Sequence, residues 1–204
     1  AALFGCGVVT GVGAVINTAN AREEDSIAVV GLGGVGLSAL LASIAIGSKK
    51  TIAIDLSNEK LNLALELGAD HILNPNDADF LERIRDLTSG GANIAIETAG
   101  SGRALKTAYD ITRRGGTTVA AGMPGPKVDI TLSHLSIAAE ERIIKGSYMG
   151  SCIAHRDIPK YLDMFQTGKL PVDRLLSRKI TFEDLNAAMD RLDDAKTVRE
   201  VLIP

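Results

Sequence analysis

Residues 26–36, S-I-A-V-V-G-L-G-G-V-G, constrain this chain more than any other stretch. Four apolar residues, Ile27, Ala28, Val29 and Val30, run without a polar interruption into Gly31, Gly33 and Gly36, spaced G-x-G-x-x-G. A short, β-branched, unbroken apolar run is what a strand buried on both faces of a parallel sheet requires. The residues that follow, V-G-L-S-A-L-L-A-S-I-A-I, are helix formers over a helical length, and Gly47 supplies a stop. Strand, glycine turn and helix in that order are the setting in which this spacing becomes a dinucleotide fingerprint. Gly31 then permits the tight turn, Gly33 the approach of a pyrophosphate to the backbone, and Gly36 the close packing of helix on strand. Gly34 and Val35 complete the loop, where unpaired N–H groups at a helix start favour an anion.

Alone, the spacing also fits a plain strand-to-helix turn. The next strand, T-I-A-I at residues 51–54, ends on Asp55, 24 residues after Gly31. A carboxylate there is placed to accept hydrogen bonds from an adenosine ribose and to repel a 2′-phosphate, which points to NAD over NADP. Lys60, at the start of the following helix, has two readings: a reach to the same ribose, or an ordinary solvated lysine.

The alternation continues. Residues 71–73 read as a third strand, 93–97 as a fourth, 117–121 as a fifth and 142–149 as a sixth, with helices expected at 10–19, 57–67, from Asp77 or Asp79 to about 88, and at 102–113. Gly122-Met123-Pro124-Gly125-Pro126 is an irregular loop at a strand's carboxyl end, where open α/β sheets bind ligands. Glu97, closing the fourth strand, is expected to hydrogen-bond or be solvated at the sheet's edge. The expected fold is α/β: a doubly wound, parallel, six-stranded Rossmann sheet. Residues 1–150 form its domain, with 1–25 as a lead-in.

After residue 150 the pattern changes to a helix at 158–166, a strand through Ile180, a helix capped by Thr181 and a β-like run at 197–203. That second helix carries Leu185, Ala188, Met189 and Leu192 on one face. These 54 residues are few for a stable domain of their own. Without an initiator Met, and apolar from the outset, the chain is expected to be an internal stretch of a longer protein. A net charge of −3 gives no reason to expect nucleic acid or an anionic membrane as partner. No window approaches the roughly 18 apolar residues of a membrane span. Two cysteines, Cys6 and Cys152, are too few for a disulfide framework, so a reducing cytoplasm is the expected location.

Read together, G-C-G-V-V-T-G, G-L-G-G-V-G, Asp55 with Lys60, G-A-D-H-I-L-N-P, E-T-A-G and V-R-E-V-L resemble the zinc-dependent medium-chain alcohol dehydrogenases, in order along essentially the whole chain. The resemblance implies a cofactor domain, a C-terminal return to a catalytic domain (residues 151–204), and a GroES-like N-terminal part lying outside this sequence. It implies that Cys6 is a zinc ligand, where the residue by itself would sooner read as a small buried hydrophobe. It places Thr10 beside the nicotinamide, Gly31, Gly33, Gly34, Val35 and Gly36 on the pyrophosphate, and Asp55 and Lys60 on the ribose. Ala121, Met123, Tyr148 and Met149 fall by the carboxamide, and Arg199, otherwise a surface charge, reaches the pyrophosphate. Cys152 reads as structural.

The implied activity is hydride transfer between a small alcohol or aldehyde and NAD. Zinc polarises the alcohol oxygen, and Cys6 and Thr10 lie on the segment that joins metal to cofactor. With one ligand where catalytic zinc takes three, this chain alone is expected to hold zinc poorly and to be inactive. The sixth strand is expected to pair with its mate in a dimer. Two other readings stand beside this one: a zinc-free quinone reductase relative, against which Cys6 argues, and an NAD-binding module without chemistry.

Overall fold

In the computed structural model, which describes residues 2–191 and 198–203, the apolar run at the fingerprint lies in the middle of a six-stranded sheet. A 3₁₀ turn (Ala2–Gly5) leads into α1 (Gly7–Gly13), which widens into a π-turn (Ala14–Ala19) and stops at Asn20, φ 53°. Then come β1 (Ser26–Val30), α2 (Gly34–Ala45), β2 (Lys50–Ile54), α3 (Asn58–Leu67), β3 (His71–Leu73) and α4 (Phe80–Thr88). The second half of the sheet is β4 (Ala92–Glu97), α5 (Gly102–Ile111), β5 (Thr112–Ala120), α6 (His134–Ala139) and β6 (Ile143–Gly146). All pairings are parallel in the order β3-β2-β1-β4-β5-β6, the doubly wound arrangement expected. The order reverses between β1 and β4, which opens a crevice at their carboxyl ends.

The two-residue period of β1 sorts its side chains to two cores. Ile27 and Val29 pack with Val8 and Val12 of α1 and Leu37, Leu40 and Leu41 of α2. Ala28 and Val30 pack with Phe80 and Ile84 of α4 and Ala108 and Ile111 of α5. Both faces are covered by helices, which is why residues 27–30 of the strand are all apolar. The helix α1 lies so close on α2 that a β-carbon at Gly11 would stand 2.7 Å from the amide nitrogen of Ala39.

The remaining elements are α7 (Ala154–Gln166), β7 (Arg178–Ile180), α8 (Leu185–Arg191) and β8 (Glu200–Leu202), with β7 and β8 pairing in parallel. Tyr161, Leu170, Val172 and Leu175 pack into the same core as α1 and α2. On α8 only Ala188 of the predicted apolar face is buried, while Leu185 and Met189 are exposed. Leu192 and Thr197 lie outside the described residues.

Several boundaries differ from expectation, each for a local reason. The lead-in helix starts at Gly7, not Thr10, and its second half is π. Strand β5 begins at Thr112, because that residue pairs with Ala92 and its hydroxyl bridges Ala108 O (2.7 Å) and Thr118 Oγ1 (2.8 Å). A register shift then absorbs the residues before Thr117. Helix α6 was not expected, since none of its residues is buried and no periodicity marks it. Helix α7 starts one turn early, at Ala154, with Pro159 inside it. The carboxylate of Asp157 accepts the N–H of the N-cap residue Ile153 (2.8 Å) and so satisfies the earlier start. Strand β6 is short, because after Gly146 the chain turns through Met149, Gly150 and Ser151, all with positive φ.

Candidate functional site

The fingerprint glycines meet three different steric demands. Gly31, φ +92°, turns the chain out of β1 while its N–H donates to Ile54 O at 2.8 Å. A β-carbon at Gly36 would collide with the Gly31 carbonyl and stand 2.7 Å from Thr98 Oγ1, whose hydroxyl donates to Gly31 O at 2.6 Å. Gly33 is the opposite case. It is exposed, its backbone is extended (φ −76°, ψ −172°), and a β-carbon there would meet no atom of the chain within 4 Å. What glycine keeps clear at this position is space outside the protein.

Helix α2 starts at that open position with no side-chain cap and no acidic residue in its first turn. Its first bond within the helix is Leu37 N–H to Gly33 O (2.9 Å), so the preceding amides point outward with the positive end of the macrodipole. The guanidinium of Arg199, just before β8, lies against the first residues of both α1 and α2. β-Carbons at Gly7 and Gly34 would stand 3.1 and 2.5 Å from its Cζ. No carboxylate among the described residues pairs with Arg199. A cation held at the positive ends of two helices is a favourable arrangement only with an anion among them.

Asp55 follows β2 and grips this loop. Its Oδ2 accepts the Leu32 N–H at 2.6 Å and its Oδ1 the Ser57 N–H at 2.9 Å. Ser57 in turn caps α3, accepting the Lys60 N–H at 3.4 Å, which sets Lys60 on the first helical turn. A cavity of about 240 Å³ opens between Asp55, Gly31, Leu56, Pro75, Ala99 and Arg103. Of these, Arg103 is tied in place by its Nη2 donating to Asn76 Oδ1 at 2.6 Å. Largely apolar walls with one carboxylate among them suit a ring carrying a hydroxylated sugar.

A second, more open groove of about 430 Å³ lies at the end of β5 and β6, lined by Ala121, Gly122, Met123, Ser147, Tyr148 and Ser151. Met123 and Tyr148 are more than three-quarters exposed. Behind the Tyr148 turn, the hydroxyl of Thr10 donates to Met149 Sδ at 3.9 Å, joining α1 to this wall. One turn earlier Cys6, the N-cap of α1, accepts the Thr10 N–H on its carbonyl (2.9 Å) and is exposed in this chain.

Glu97 makes the hydrogen bond expected of it but is not solvated: it sits buried at the end of the central strand β4. Oε1 accepts the Gly100 N–H at 2.6 Å, and a β-carbon at Gly122 would stand 2.8 Å from it. Burial pushes its carboxyl above the ordinary range against the opposing pull of backbone N–H groups. The group pins the loops after β4 and β5 together. Thr98 and the Arg103–Asn76 tie were not anticipated; the E-T-A-G stretch carried the signal for the first, and no sequence signal marks the second.

A family model described as zinc-binding dehydrogenase matches residues 34–167. Geraniol dehydrogenase of Castellaniella defragrans is 34% identical over 201 residues, covering 98% of this chain and 54% of its own length. Alcohol dehydrogenase class-2 isozyme 2 of Oryctolagus cuniculus is 34% identical, covering 98% and 53%. Among solved structures, benzyl alcohol dehydrogenase from Acinetobacter calcoaceticus superposes with a TM-score of 0.94 at 32% identity, covering 98% of this chain and 55% of that one. The chain spans about half the length of the curated relatives it matches.

Proposed function

The chain belongs to the zinc-binding dehydrogenase family, and from that premise we propose that it is the cofactor-binding portion of an NAD-dependent alcohol dehydrogenase. The observation that carries this reading is the uncapped start of α2, with Gly33 facing open space and Arg199 beside it. Two sources of positive potential with no acidic partner among the described residues suit a pyrophosphate. The adenosine end is proposed for the cavity at Asp55, with Lys60 at the ribose. The nicotinamide end is proposed for the groove at Ala121, Met123, Tyr148 and Met149, with Thr10 behind it. When bound, NAD supplies the hydride acceptor. The protein's share is to fix both ends of the cofactor.

We propose the division at residue 150 and a small alcohol or aldehyde as the whole protein's substrate, a reading supported by relatives named for geraniol and benzyl alcohol. A cytoplasmic location and a dimer through β6 belong to the same reading. Cys6 is proposed as a thiolate toward the family's metal. Among the described residues no three His, Cys, Asp or Glu side chains are grouped to hold an ion, and Cys6 alone does not make a tetrahedral site. By itself the chain is therefore proposed to bind nucleotide without oxidising alcohols.

Calorimetric titration of the chain with NAD and NADP tests the proposal. NAD is expected to bind in the range of roughly micromolar to millimolar, NADP more weakly, and Gly33→Val to abolish binding without loss of fold. Asp55→Asn, which keeps an acceptor for Leu32, is expected to narrow the gap between the two nucleotides. Equal binding by the Gly33→Val chain sinks the pyrophosphate assignment. Turnover of a simple alcohol by the chain itself overturns the claim of inactivity.

A further inference from the structure

The groove at the end of β5 and β6 is walled by a turn whose backbone is unfavourable in isolation. Met149, Gly150 and Ser151 have φ of 49°, 66° and 48° in succession, and two of the three carry side chains. Such a run persists only where surrounding contacts fix it. Beside the Thr10 hydroxyl on Met149 Sδ, those contacts come from two residues of the π-turn (Ala14–Ala19), a helical form that recurs at functional sites.

Thr18 is buried, and its hydroxyl lies 2.8 Å from Ser147 Oγ and 2.9 Å from Ser151 Oγ, so it bridges the two ends of the turn. Asn17 Nδ2 lies 3.2 Å from Gly150 O, 3.2 Å from Asp157 Oδ2 and 3.0 Å from Tyr161 Oη, and so fastens the turn's middle to α7. Asp157 is itself held by Arg156 Nε (2.6 Å) and Nη2 (2.9 Å) and by the Ile153 N–H (2.8 Å). Below them Gly13 and Gly150 touch backbone to backbone: a β-carbon on Gly13 would stand 2.7 Å from the Gly150 Cα. The side-chain anchors of the turn thus come from α1 and the π-turn, while Tyr148 and Ser151 line the groove.

We propose that Asn17 and Thr18 are positioning residues for the nicotinamide end of the cofactor, acting as a clamp that holds the strained 147–151 turn in the shape the ring meets. The inference rests on the cofactor reading above and adds two residues to it that touch no part of the proposed ligand. Its consequence is a split. Loosening the clamp weakens ligands that reach the groove and spares ligands that end at the pyrophosphate.

The test compares NADH with ADP-ribose, which lacks the nicotinamide, on the chain itself. Thr18→Val keeps the shape and removes the hydroxyl. It is expected to weaken NADH by about fivefold or more, the worth of one hydrogen bond, and to reduce the rise in NADH fluorescence on binding, while ADP-ribose stays within about twofold. Thr18→Ser is expected to restore NADH binding. Without any nucleotide, amide exchange at Ser151 and Cys152, whose N–H groups donate within this turn to Tyr148 O and Met149 O, is expected to speed up in Thr18→Val. If Thr18→Val fails to fold, Asn17→Ala is judged by the same split. Equal loss of NADH and ADP-ribose, or unchanged NADH binding, overturns the clamp. A parent chain that binds neither ligand overturns the cofactor reading and the clamp with it.

Discussion

The guanidinium of Arg199 lies against Gly34, the first residue of α2, with Cζ 2.5 Å from where a β-carbon of residue 34 would stand. Without an anion this geometry opposes a cation to a helix dipole; with one, charge, dipole and amides converge. Arg199→Met, which keeps the packed stem, is therefore expected to act in opposite directions on two measurements. The free chain gains about 0.3–1 kcal/mol in urea unfolding. NAD loses affinity by roughly ten- to a hundredfold, the worth of a charged hydrogen bond. A variant that loses stability and keeps its affinity would mean that Arg199 is a packing residue.

Gly33 and Gly36 stand three residues apart and are expected to fail differently. At Gly36 an added methyl meets the Gly31 carbonyl, rigid backbone that moves only by separating α2 from β1. Gly36→Ala is expected to destabilise the fold by about 1–3 kcal/mol, as overpacking does. At Gly33 the methyl meets nothing and the extended backbone suits any residue, so Gly33→Ala leaves the unfolding midpoint in place. Paired urea titrations decide it. Equal stabilities would contradict the steric account of Gly36.

The contrast also shows how far the sequence could be read. Strand β1, its glycine turn and α2 were legible because period, length and glycine spacing are local signals. Asp55 was legible as a position, but not as the acceptor for Leu32 and Ser57, since loop closure is a tertiary event. Arg199 reaches the helix start only because a segment 165 residues beyond Gly34 returns to it. Helix α6 was invisible because it buries nothing, and the π-turn because no composition separates it from an α-helix. Asn17 and Thr18 read as ordinary helix residues for the same reason.

Strand β6 is an edge that carries Ile143 at 45% and Ile144 at 41% exposure, with Leu135 of the neighbouring α6 at 74%. Unpaired backbone beside exposed apolar side chains invites a second copy of the same strand. Light scattering at micromolar concentration is expected to give a dimer, and Ile144→Lys to shift it toward monomer by placing a charge on the edge. A parent chain of monomeric mass counts against this pairing.

Glu97 and Asp157 give the fold two opposed pH dependences. Burial raises the Glu97 carboxyl above its ordinary 4.5, so the folded state holds that proton more tightly than the unfolded one. Its contribution is full below pH 4.5 and is lost as pH rises through the raised value. The Arg156 guanidinium, with the Ile153 N–H, holds Asp157 well below its ordinary 3.8. Its contribution is present above that value and fades as acid protonates it. Asp157→Asn is accordingly expected to cost about 1–3 kcal/mol at neutral pH, the range for a buried acceptor losing charged partners, and progressively less below pH 3.8. Glu97→Gln keeps an oxygen for the Gly100 N–H and removes the burdened charge. Its stability relative to the parent is expected to climb as pH rises from 4.5 toward neutrality. Urea unfolding across this range separates the two, because the two difference curves must run in different windows. Parallel curves for parent and both variants would leave neither carboxylate linked to folding.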